Sequence, residues 1–67
     1  MAKFYILAER MNIDNYPEQY TVSRDNTPTD DYDSFLFFDQ KEEAEKWVES
    51  DSAKEWKGCT FEICEEE

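Results

Sequence analysis

The 67-residue chain contains no histidine, one glycine, two prolines and two cysteines, and its seven basic residues face eighteen acidic ones. Without histidine there is no imidazole base to activate a serine or cysteine, and no imidazole metal ligand. A single glycine, Gly58, leaves no glycine-rich loop to cradle phosphate. The net charge of −11 repels nucleic acid and anionic membranes and favours basic partners. The longest early apolar run, "FYILA" at residues 4 to 8, is too short for a signal-peptide core or a membrane span, so a cytoplasmic protein is expected. Cys59 and Cys64 have opposite parity in a strand and lie about 16 Å apart at ~3.3 Å per residue. That spacing predicts two reduced thiols rather than an intramolecular staple, in keeping with a cytosolic setting.

What the chain does have is aromatic side chains and carboxylates. Five phenylalanines, four tyrosines and two tryptophans supply large buried areas in a chain that is only 39% hydrophobic, enough for one small core. One domain spanning residues 1–67 is expected.

Residues 3 to 10, "KFYILAER", alternate as a strand with Phe4, Ile6 and Ala8 on one face and Tyr5 and Leu7 on the other. Apolar side chains on both faces place this strand inside a sheet. The stretch "MNIDNYPEQ" reads as a loop, and residues 20 to 24, "YTVSR", as a second strand. An acidic, turn-rich loop at 25 to 33 leads to a third strand at 34 to 38, "SFLFF".

Asp39 followed by Glu42 predicts a capping box and a helix from Gln40, with Ala44, Trp47 and Val48 as its inner stripe. Polar Asp51 at the next inward position predicts a break near Ser50. A second box, Ser52 to Glu55, then predicts a further turn that carries Trp56 inward and closes at Gly58. The last strand, 59 to 65, turns Cys59, Phe61 and Ile63 inward and pairs with the first. Residues 65–67 read as a disordered acidic tail. The order β-β-β-α-β gives an α+β fold, a small and mostly antiparallel sheet with one helix on one face.

The carboxylates admit three roles. Catalysis requires burial to raise one carboxyl pKa, and these acids fall in a loop, on a helix exterior and in a tail, so no enzymatic role and no catalytic residue is expected. Asp30, Asp31 and Asp33 are hard oxygen donors, but neither Asp25 nor Asp31 as a first position brings Gly to the sixth position or Glu to the twelfth. No metal or other cofactor is therefore expected.

As a surface, Glu42, Glu45 and Glu49 share one helix face at rises of about 4.5 and 6 Å, close to the interval of backbone phosphates. Glu42 with Lys46, and Lys41 with Glu45, are spaced as i, i+4 ion pairs that would neutralise part of this row. The charge also exceeds the magnitude of about 2–8 that solubility asks of a small domain. In charge and length the chain resembles small phage-encoded DNA-mimic inhibitors. That resemblance implies a basic partner, a nucleic-acid-binding enzyme whose DNA or RNA groove the acids occupy. Asp30, Asp31, Tyr32, Asp33, Glu42, Glu45 and Glu49 are the expected contact residues, with Tyr32 as aromatic anchor. The alternative expectation is a structural or adaptor protein that works through its second sheet face, or a homodimer joined there, unless Met11, Ile13, Tyr16 and Tyr32 fold over that face.

Overall fold

The computed structural model describes residues 3–66. Strand β1 (Lys3–Met11) lies between β2 (Pro17–Val22) and β4 (Thr60–Glu66), and the two-residue β3 (Pro28–Thr29) extends the sheet beyond β2. All pairings are antiparallel, in the order β3-β2-β1-β4. Helices α1 (Lys41–Val48) and α2 (Asp51–Lys54) complete the expected α+β fold. As the alternation predicts, β1 is internal and pairs with the last strand, Ile6 opposite Ile63 and Tyr5 opposite Cys64. The buried centre is Ile6, Val22 and Ala44, with Phe4, Leu36, Trp47, Phe61 and Ile63 among the side chains packed on it. None of the helices among the described residues is long and apolar enough to cross a membrane.

Strand β2 starts at Pro17, inside the predicted loop, because Asn12 closes a tight hairpin. Its Oδ1 accepts from the backbone N–H of Asp14 (2.9 Å) and of Tyr16 (3.0 Å), and Asn15 takes φ 64°. Glu18 and Gln19 are thereby brought opposite Arg10 and Glu9. The strand stops at Val22 rather than Arg24, since the Ser23 hydroxyl accepts from the N–H of Asp25 and Thr27 and turns the chain back. Asn26 at φ 60° completes that turn, so Pro28 and Thr29 pair with β2 where a solvated loop is predicted.

The third predicted strand is the largest correction. Asp31 caps a 3-10 turn at Tyr32–Ser34, and the chain then runs extended through isolated bridges, Ser23 with Phe35 and Phe4 with Phe38. This segment serves both faces. Leu36 and Phe38 join the core beneath the helices, while Phe35 and Phe37 lie on the opposite face against Tyr5, at ring-centroid distances of 5.5 and 6.2 Å. Tyr32 packs on both phenylalanines at 5.4 Å, and the Lys3 ammonium sits 4.9 Å from the Phe37 ring centre. The second sheet face is thus strapped over by Tyr32, Phe35 and Phe37. The other three side chains expected there, Met11, Ile13 and Tyr16, are 58%, 95% and 68% exposed around the hairpin tip.

The helix begins one residue late and without its box. Gln40 is the N-cap, with no side-chain cap bond, because the chain leaves the Phe4–Phe38 bridge still extended at Gln40 (φ −125°, ψ 140°). Asp39 is therefore one residue too early to cap. The break near Ser50 is present, but the Ser50 hydroxyl donates back to the Trp47 carbonyl (2.5 Å), and α2 starts ahead of Ser52, so the second box does not form either. Trp56 is half-buried, and Gly58 closes the turn at φ 76°.

Glu65 and Glu66, predicted to lie in a disordered tail, belong to β4, where Phe4 and Lys3 pair with them. Composition suggested a tail, but the ladder to β1 extends through both residues. Glu67 lies outside the described residues.

Candidate functional site

Helix α1 is oriented by its apolar stripe. Ala44 is fully buried, and Trp47 meets Phe61 edge-on at 5.4 Å, so Glu42, Glu45 and Glu49 are turned outward and exposed. The i, i+4 pairs expected within α1 are absent. The ion pairs within 4.0 Å among the described residues are Arg10 with Glu18 (3.5 Å) and Lys54 with Asp51 (3.4 Å). The three-glutamate row is therefore not cancelled by its own lysines.

The Asp30 to Asp33 segment is more committed to the fold than the row is. Asp31 accepts from the N–H of Asp33 and, at 3.4 Å, from the Ser34 hydroxyl. The Asp33 carbonyl accepts from the Arg24 guanidinium at 2.7 Å. Tyr32 is 48% exposed, but its ring belongs to the aromatic strap and its hydroxyl donates to Glu66. Asp30 borders an open groove of about 650 Å³ beside Arg10, Tyr20, Trp56 and Lys57. Since α1 covers the Ile6 face and Tyr32 packs on the Tyr5 face, the helix row and the Tyr32 anchor do not form one patch. No group of three or more metal-ligating side chains comes together among the described residues, Asp30, Asp31 and Asp33 included.

The hydrogen bond to Glu66 pushes the Tyr32 phenol pKa up, with desolvation and the charges of Glu66 and Asp33 adding in the same direction. Burial, and then Cys64, push that of Tyr5 up as well. Below pH ~10, the ordinary phenol value, both folded and unfolded chains keep these protons and the contribution is fully present. As pH rises through 10 toward the higher folded values, the unfolded chain ionises first and the contribution is lost. Thermal stability should therefore fall more steeply above pH 10 in the wild type than in Tyr32→Phe, while phenolate absorbance appears late in the folded protein. Identical alkaline profiles would show that the Tyr32–Glu66 bond carries nothing.

Two features were not legible in the sequence. One is Asn26, which receives the Trp56 indole N–H on Oδ1 (2.8 Å) and donates to the Ser52 carbonyl (3.2 Å) and to Glu55 (2.7 Å). Its only local signal is a turn-forming Asp-Asn pair. The other is an open groove of about 380 Å³ between α1 and β4, floored by Val48, Phe61 and Ile63 and edged by Lys41, Glu45 and Glu49.

No family model, curated protein or solved structure matches the chain.

Proposed function

We propose that this chain is a non-catalytic, cytoplasmic acidic binding protein whose α1 face docks on a basic protein, at a site built to receive a nucleic-acid backbone. The observation that carries this reading is the row of Glu42 and Glu45 on packed helix α1 with Glu49 at its C-cap, all three exposed and free of ion pairs with Lys41 and Lys46. A row of carboxylates without ion-pair partners of its own offers Lys and Arg the anions they would otherwise find on phosphates. The rest of the molecule supports it. None of the described acidic residues is buried, which leaves their charge at the surface. Around Tyr5 the second sheet face is covered from within the chain by Phe35 and Tyr32, which favours this reading over a homodimer joined there.

The deciding experiment is competition. With a basic partner captured from a bacterial lysate, the protein should displace a labelled oligonucleotide, and displacement should weaken as salt rises, because exposed charges are screened over ~8 Å at physiological ionic strength. If oligonucleotide and protein bind together, the shared-site reading is lost. If affinity ignores salt, the adaptor reading takes over, with Met11, Ile13 and Tyr16 at the hairpin tip as the exposed apolar contact.

A further inference from the structure

The outer edge of β4 is unpaired. Its ladder partner is β1, and no other backbone hydrogen bond involves Thr60–Glu66 among the described residues. The direction of its backbone groups follows from Phe4. The N–H and C=O of Phe4 both bond to Phe38 (2.9 and 2.8 Å), on the side of β1 away from β4. Phe4 and its β4 partner Glu65 are therefore a non-hydrogen-bonded pair, and alternation makes Ile6 with Ile63 and Ala8 with Phe61 the same kind of pair. Hence Phe61, Ile63 and Glu65 present their N–H and C=O groups to the open edge, a row of three free donor–acceptor sites.

The same three residues point their side chains to the helix face, where the α1–β4 groove begins. A strand added at this edge would place alternate side chains over that groove, opposite Phe61 and Ile63. The groove has an apolar floor, and its rim carries the carboxylates of Glu45 and Glu49 beside the single ammonium of Lys41, a net negative edge. That combination suits a long cationic side chain, whose methylenes lie on Val48, Phe61 and Ile63 while its head reaches Glu45 or Glu49. A second copy of the chain is disfavoured, because it would bring two chains of net charge −11 edge to edge and, in a pairing centred on Ile63, set Glu62 diagonally beside Glu62 and Glu66 of the other strand.

We propose that the β4 edge and the α1–β4 groove together bind an extended basic segment of a partner protein, added to the sheet as a fifth strand with lysine or arginine at every second position. This rests on the acidic-binding reading above and specifies the form of the partner. The backbone supplies the pairing, and Glu45 and Glu49 select the charge.

The probe is a capped nine-residue peptide of lysine alternating with threonine, compared with a peptide of the same composition whose lysines form one block. The alternating peptide should bind at least tenfold more tightly at equal salt, and Glu45→Gln/Glu49→Gln should lower its affinity at least tenfold. Amide exchange gives the decisive readout. In the free protein the Phe61, Ile63 and Glu65 amides should exchange quickly while those of Glu62 and Cys64 are protected by β1, and the peptide should slow the first three. Glu65→Pro removes an outward N–H without touching the β1 ladder, so it should weaken binding several-fold beyond Glu65→Gln. If both peptides bind equally, lose affinity with salt and with the Glu45/Glu49 change, and leave the three amides unprotected, the strand-addition proposal is overturned while the acidic-binding reading stands. If the Glu45/Glu49 change has no effect on binding, both are overturned. If neither peptide binds, the edge glutamates only guard against unwanted pairing and the proposal fails.

Discussion

Replacing Glu42, Glu45 and Glu49 together by glutamine should leave the protein folded and weaken its complex with a basic partner by about 1.5–3 kcal/mol for each charge-assisted bond lost. Even two such bonds correspond to a fall in affinity of about a hundredfold or more. Glutamine keeps size and helix propensity, and the three side chains are exposed, so stability should move by no more than about 0.5 kcal/mol, upward if self-repulsion matters. The control has to lie elsewhere on an exposed surface. Glu65 and Glu66 do not serve, since both belong to β4, but Asp14 in the hairpin turn and Asp25 in the following turn do. Compared per charge removed, Asp14→Asn/Asp25→Asn should cost far less affinity than the helix variant. Equal losses would mean that total charge attracts the partner without a site. No loss from the helix variant, with its circular dichroism unchanged, would remove α1 from the interface.

Phe35→Ala should destabilise the fold by about 2–3 kcal/mol, at and below the low end for a buried phenylalanine because its ring is only half-buried. The ring stands 5.5 Å from Tyr5, 5.4 Å from Tyr32 and 5.9 Å from Phe37, so its removal takes away a shared neighbour of all three and opens the cover over the second sheet face at Tyr5. At a typical 0.05–0.15 kcal/mol per residue, a chain of this length has roughly 3–10 kcal/mol in all, so the variant should be close to half-unfolded at the weak end of that range. Ile13→Ala, on a side chain already 95% exposed, should change stability by less than about 0.5 kcal/mol. Urea denaturation of both variants makes the comparison. A Phe35→Ala midpoint matching wild type would show that the strap contributes no cover. A midpoint that rises with protein concentration would mean that a second copy covers the face instead.

The elements that could be read from sequence were those with one clear period. Phe4, Ile6 and Ala8 against Tyr5 and Leu7 gave β1 and its central place, Phe61 and Ile63 gave β4, and Ala44, Trp47 and Val48 gave α1 and hence the exposure of Glu42, Glu45 and Glu49. Where two periods or none were present, the reading failed. Phe35, Leu36, Phe37 and Phe38 form a continuous apolar run that suits a buried strand and a strap equally, and only the bridges to Ser23 and Phe4 distinguish them. Pro17 looked like a loop residue because the closure of the hairpin by Asn12 leaves no mark in the hydrophobic pattern. Asp39 had the right chemistry for a cap and the wrong position by one residue. The free edge of β4 depends on strand order, which no local window contains.

The pairing of β1 with β4 joins residues from the two ends of the described chain, Lys3 opposite Glu66 and Ile6 opposite Ile63. Helix α1 rests on those two strands, so its platform exists only after nearly the whole chain has been drawn into a single closed loop. Loop closure costs entropy before any contact repays it, and this late, non-local step should limit the folding rate. The carboxylate row is consequently assembled all at once. Isolated α1 would be eight residues of marginal helix, too short to hold its shape in water, and a partly folded chain would carry the same charges without their spacing.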